Sequence, residues 1–99
     1  MAVRIGINGF GRIGRAVFRR AASAGVEVVA INDVTDAATL AHLLKHDSTY
    51  GTYDAEVAAG DDYIEVDGRR VPVTAHRDPA DIDWAAHGAD VVVEASGKF

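Results

Sequence analysis

Val3, Ile5 and Ile7 alternate with smaller or polar residues until a glycine stops the run, and this period of two predicts a strand over about residues 3–8. Ile13, Val17, Phe18 and Ala21 then recur on one helical face, which predicts a helix over 12–24. Arg19 and Arg20 fall in its last turns, where cations complement the helix dipole, and Gly25 is placed to end it. Residues 26–33, VEVVAIND, are almost continuously apolar, as in a strand buried on both faces. A second helix comes next, capped by Thr35 or Asp36 and turning Leu40, Leu43 and Leu44 inward. Residues 46–62 show no clear period and are expected to contain loop. Residues 63–75, YIEVDGRRVPVTA, read as two strands around the turn pair Asp67-Gly68. Pro72 lacks a backbone donor, so it belongs at an edge or at a position that does not donate to the ladder. Residues 78–88 suit one helical turn with Asp81 as cap and Gly88 as terminator, and ADVVVEAS at 89–96 reads as another buried strand.

Strand, helix, strand, helix and two further strands compose a parallel α/β sheet with covering helices and right-handed crossovers. Ninety-nine residues suit one small domain with a modest core. A net charge of −5 argues against a nucleic-acid surface as the chain's main business. No run of 18 apolar residues offers a membrane span, and Arg4 and Asn8 interrupt any signal-peptide pattern. The sequence has no cysteine, which leaves no disulfide and no thiolate metal site and is compatible with the cytosol.

The chemistry concentrates at the first turn. Gly9, Gly11 and Gly14 match G-x-G-x-x-G between a predicted strand and a predicted helix, the context in which that pattern cradles a dinucleotide. Gly9 permits the tight turn, Gly11 leaves room for a pyrophosphate at the backbone, and Gly14 lets the helix pack closely on the strand. An acid should end the second strand about 20 residues on, to accept from the adenosine ribose, and Asp33 stands there. Its carboxylate suits the 2′-hydroxyl of NAD and repels the 2′-phosphate of NADP, so NAD is the expected cofactor. The plainer alternative is a tight turn using glycine for geometry alone, with Asp33 capping the next turn.

The blocks INGFGRIGR, IND, LLKHDSTYG, RDPADIDW and VVVEASGKF, in this order across essentially the whole chain, resemble the N-terminal part of phosphorylating glyceraldehyde-3-phosphate dehydrogenase. The resemblance implies that Arg12 and Ile13 bind the pyrophosphate, that Asp33 holds the adenosine ribose and that Arg77 lies near the adenine. It implies that Ser96 and Gly97 touch the middle of the cofactor, Ser96 standing where most relatives carry Thr. The implied fold is a partial Rossmann fold. Four strands, near 3–8, 27–32, 70–75 and 90–95, form a mainly parallel sheet ordered 3-2-1-4, with covering helices and a small antiparallel hairpin. Ligands bind beyond the carboxyl ends of such strands, where the chain reverses direction across the sheet.

The resemblance also places the family's reactive cysteine, assisting histidine and substrate-phosphate arginines C-terminal to these residues. Residues 1–99 are then the N-terminal part of a dinucleotide-binding domain without the catalytic domain, expected to be inactive alone. The expected partners are NAD and the missing catalytic half of the subunit, within a cytoplasmic homotetramer and without nucleic acid or membrane. An erythrose 4-phosphate dehydrogenase fragment and a free-standing nucleotide-binding module are the alternatives. Without the second half of the sheet, Val91, Val92 and Val93 are expected on an open apolar edge that invites self-association. Elsewhere the bland readings hold. His42 and His46 stand four apart, but Leu43 occupies the metalloprotease Glu position and no third ligand is evident, so no metal is expected. Asp61, Asp62, Glu65 and Asp67 read as a solvated acidic patch, the arginines of the first helix as solvated phosphate-end and dipole-end charges, and Phe18 and Trp84 as core or interface anchors.

Overall fold

The computed structural model describes residues 3–21, 23–47, 51–78 and 81–96. The alternating opening run forms β1 (Val3–Asn8), and the amphipathic stretch after the glycines forms α1 (Arg12–Ala21). Next come β2 (Val26–Asn32) and α2 (Ala37–Lys45). Two short strands, β3 (His46–Asp47) and β4 (Gly51–Thr52), pair with each other in a separate antiparallel ladder. The chain continues through β5 (Val57–Ala59), β6 (Tyr63–Val66), β7 (Arg69–Thr74) and β8 (Val91–Glu94).

The main sheet has the order β5-β6-β7-β2-β1-β8. Its parallel part, β7-β2-β1-β8, is the expected 3-2-1-4 arrangement of the strands near 70–75, 27–32, 3–8 and 90–95. The strand count differs from the expected four. The hairpin is no separate appendage, because β6 adds antiparallel to β7 and β5 antiparallel to β6, which widens the sheet to six strands. β5 lies within residues 46–62, where the sequence shows no clear period. Its three small residues lie on a partly exposed edge, too short for a period of two to show.

The turn between β6 and β7 has both central residues left-handed, Asp67 at φ 52° and Gly68 at 82°, the type I′ geometry that two-residue hairpins require. Pro72 lies opposite Tyr63, one place before the hydrogen bond from Val73 N–H to the Asp62 carbonyl. The alternation of bonded and non-bonded pairs turns its nitrogen away from β6, and pairing with β2 starts only at Val73, so the ladder does not need a proton there.

One core joins the elements. Ile5 and Ile7 from β1, Phe18 from α1, Ile31 from β2, Leu40 and Leu44 from α2, and Ile64 from β6 are buried in a single cluster. Phe10 meets Phe18 edge to face, with centroids 5.7 Å apart. Half-buried Trp84 lies over Gly6 of β1.

Several local expectations change. α1 ends at Ala21 rather than 24, and Ala24 N–H reaches back to Arg20 and Ala21 before Gly25 turns left-handed at φ 73°. Asp36, not Thr35, caps α2, accepting from Thr39 N–H at 2.8 Å, and Leu43 is only half-buried. Near residue 84 the side chain accepting the turn amide is Asp83 rather than Asp81, bonded to Ala86 N–H at 3.1 Å. Arg19 is no solvated charge. Its guanidinium donates to the Leu44 and Gly51 carbonyls at 2.6 and 2.8 Å and lies against the Tyr53 ring, fastening α1 to the end of α2. Finally, β8 is not buried as its composition reads, and the expected open apolar edge is present: Val91 and Val92 are 53% and 40% exposed along the sheet's outer edge, while Val93 packs against the core.

Candidate functional site

The site lies at the carboxyl ends of the parallel strands, where β1 is flanked by β2 on one side and β8 on the other. A cleft of about 360 Å³ opens there, lined by Asn8, Gly9, Gly11, Asn32, Asp33, Val34, His76, Arg77, Ala95 and Ser96. Gly9, Gly11, Asp33, Arg77 and Ser96, scattered through the sequence, thus come together. Arg12 and Ile13 sit beside them as the first residues of α1, both exposed, and Gly14 is buried one position further on. Gly97 lies outside the described residues.

The three glycines answer to different constraints. Gly9 adopts φ 95° and packs on the segment after β8: a Cβ here would stand 2.5 Å from the Ser96 Cα. A Cβ on Gly14 would stand 2.2 Å from the Gly9 carbonyl oxygen, so a side chain would lift α1 off the turn. A Cβ on Gly11 would meet nothing within 4 Å, because that position faces the open cleft.

Gly11 is also the residue whose carbonyl accepts the first α1 hydrogen bond, from Arg15 N–H at 2.9 Å. The amides of Arg12, Ile13 and Gly14 therefore precede the helical ladder. Glycine has no side-chain oxygen to cap them, and the first turn contains no acid. α2 shows the contrast, with Asp36 closing its N-terminus. An uncapped N-terminus carrying the positive end of a helix dipole, reached through a side-chain-free position, is a seat for an anion.

Asp33 follows the last residue of β2 and faces the same turn. One carboxylate oxygen accepts from Phe10 N–H at 2.7 Å and the other from Thr35 N–H at 2.9 Å. Each oxygen keeps a second acceptor direction, so the residue staples the glycine turn and still offers acceptors to the cleft.

Sequence reasoning passed over Asn8 and Asn32. Both are buried, at 5% and 4% exposure, and they are hydrogen-bonded to each other across adjacent strand ends at 2.9 Å. The signal was present, since an asparagine ends each apolar run, IGIN and VVAIN, where an aliphatic residue would continue the core. The rings of His42 and His46 lie 5.1 Å apart, but no group of three or more potential ligands forms a metal site among the described residues. No helix among the described residues is long and apolar enough to cross a membrane.

Residues 3–99 match the family described as glyceraldehyde 3-phosphate dehydrogenase, NAD binding domain. Glyceraldehyde-3-phosphate dehydrogenase 1 of Bacillus cereus is 59% identical over 97 residues, which cover 97% of this chain and 29% of that protein. Glyceraldehyde-3-phosphate dehydrogenase of Geobacillus stearothermophilus is 55% identical over 100 residues, covering 100% of this chain and 30% of that protein. Glyceraldehyde-3-phosphate dehydrogenase A of Escherichia coli is 51% identical with the same coverage. The chain spans under a third of the length of these relatives.

Proposed function

The chain belongs to the family of the NAD-binding domain of glyceraldehyde 3-phosphate dehydrogenase, and from that premise we propose that it is the cofactor-binding part of such an enzyme, holding NAD across the carboxyl ends of β2, β1 and β8. In this reading the amides of Arg12 and Ile13 grip the pyrophosphate through the gap at Gly11, while Gly9 and Gly14 let turn, helix and strand approach closely. Asp33 accepts from the adenosine ribose, Arg77 flanks the adenine, and Ser96 and Gly97 meet the middle of the cofactor. When bound, NAD supplies the hydride acceptor for oxidation of an aldehyde substrate, glyceraldehyde 3-phosphate, with phosphate as co-substrate.

The covalent chemistry belongs elsewhere in the complete enzyme. A thiolate nucleophile is required, and these 99 residues contain no cysteine. The division of labour is therefore binding and orientation here, nucleophile and base in a companion segment, and assembly of the whole as a cytoplasmic homotetramer.

The observation that carries this reading is the uncapped start of α1 meeting Asp33 and the open Gly11 position in one cleft. Calorimetry on the chain tests it with NAD and NADP side by side. The Asp33 carboxylate should favour NAD by about 1–3 kcal/mol, roughly 5- to 150-fold in affinity. Absence of heat with NAD, or tighter binding of NADP, refutes the reading. The chain alone should form no NADH from glyceraldehyde 3-phosphate, NAD and phosphate, and clear turnover would overturn the proposed division.

A further inference from the structure

The four parallel strands end on one polar row. Their last residues are Thr74 of β7, Asn32 of β2, Asn8 of β1 and Glu94 of β8, and they are cross-strand neighbours in register. Their side chains form an unbroken chain of hydrogen bonds with a single direction. The Thr74 hydroxyl donates to Asn32 Oδ1 at 2.8 Å, Asn32 Nδ2 to Asn8 Oδ1 at 2.9 Å, and Asn8 Nδ2 to Glu94 Oε2 at 2.8 Å. The run ends at a carboxylate, a group that only accepts when ionised. From the far side, both the amide and the hydroxyl of Ser96 donate to Glu94 Oε1.

Two members of the row, Asn32 and Glu94, each hold one wall of the cleft. Asn32 engages both backbone groups of His76, accepting from its N–H and donating to its carbonyl, each at 2.9 Å, and so fixes the residue just before Arg77. Glu94 fixes Ser96 on the opposite wall. Among the described residues Asn8 is the side-chain link in the row between these two anchors, and its β1 lies between them in the sheet.

We propose that Asn8 is a positioning residue that couples the adenine wall at His76–Arg77 to the Ser96 wall, so that a ligand spanning both walls gains affinity that a ligand touching one wall does not. This rests on the NAD reading above. The row also sets the chemistry of Ser96: its hydroxyl proton is committed to Glu94, so its oxygen meets the cleft as an acceptor. At the middle of the cofactor it is therefore suited to a ribose hydroxyl beside the pyrophosphate rather than to the phosphate oxygens themselves.

Calorimetry with NAD and AMP, on wild-type chain and on Asn8→Ala, tests the coupling. Loss of the link should weaken NAD by about tenfold, the size expected for a hydrogen bond to a charged group, and leave AMP within about twofold. Asn8→Asp supplies a readout that a purely structural role would not move. At neutral pH its carboxylate faces that of Glu94, whereas near pH 5 a shared proton restores the donor, so the NAD deficit should shrink on acidification. Amide NMR gives a third. AMP should shift the Ser96 amide in the wild type and not in Asn8→Ala. Should Asn8→Ala fail to fold, Asn8→Asp at the two pH values decides.

Equal losses of NAD and AMP, a pH-independent deficit in Asn8→Asp, or an unchanged AMP response at Ser96 would overturn the coupling while leaving the cofactor assignment intact. Failure of the wild-type chain to bind NAD would sink the assignment itself, and the coupling with it.

Discussion

Replacing Gly11 with valine should severely weaken dinucleotide binding and spare the fold. An added Cβ meets no atom within 4 Å, and the position has an ordinary backbone, so folding is little affected. The ligand meets the full effect. The branched side chain would occupy the approach to the Arg12 and Ile13 amides, and losing one or two charge-assisted hydrogen bonds costs about 2–4 kcal/mol, or roughly 30- to 1,000-fold in affinity. Gly14→Ala is the contrasting variant. Its Cβ would lie 2.2 Å from the Gly9 carbonyl oxygen and 3.2 Å from Ile7 Cγ2, and no rotamer moves a backbone carbonyl away. α1 must shift off β1, at about 1–3 kcal/mol. For a domain of this size that lowers the melting temperature by about 5–20 °C. Calorimetry with NAD and thermal melting by circular dichroism, on both variants, separate the two effects. If Gly11→Val binds NAD normally, or melts as early as Gly14→Ala, the division between an open ligand-facing glycine and a packed one is wrong.

Arg19→Leu should destabilise the chain by about 1.5–3 kcal/mol, because the Leu44 and Gly51 carbonyls lose a charged donor, whereas the exposed neighbour Arg20→Leu should stay within about 0.5 kcal/mol; urea melts of the pair test the contrast. Hydrogen bonds from the Thr39 amide and hydroxyl hold the Asp36 carboxyl below its ordinary pKa. A carboxylate depressed by folding adds stability above its unfolded pKa of about 3.9 and loses it as pH falls through the lower folded value. The stability difference between wild type and Asp36→Asn should therefore narrow below about pH 4, and a difference that widens on acidification would contradict the cap. Val92→Lys, on the exposed edge β8, should reduce self-association in sedimentation velocity with little change in melting temperature, and an unchanged sedimentation profile would clear β8 of that role.

The parallel frame was legible because its signals are long and mutually consistent. Alternation in β1, a 3.6-residue period in α1 and the apolar run of β2 each span six or more residues. The glycine spacing and Asp33 placed the cleft for a related reason: conformation and charge at a turn leave few residue types to choose from. The errors arose where structure is short or contacts are distant. β5 has three small residues, and its partners are supplied by a hairpin later in the chain. Arg19 reads as a surface charge until α2 and β4 bring carbonyls to it. β8 has the composition of a buried strand, yet it is an edge strand and shows the open apolar edge expected of it. Asn8 and Asn32 were overlooked because hydrophobic patterning treats a polar strand end as a boundary, whereas here the boundary residues bond to one another.

Asp33 carries a constraint for anyone wishing to redesign the preferred nucleotide. Its carboxylate is already gripped by the Phe10 and Thr35 amides of the free protein. A swap to a neutral or basic residue, made to welcome an extra phosphate, also unpins the loop that must greet the ligand. On the proposed NAD reading, selectivity and loop geometry reside in the same two oxygens, so a switched variant needs a replacement fastener for Phe10 before its new charge can be of use.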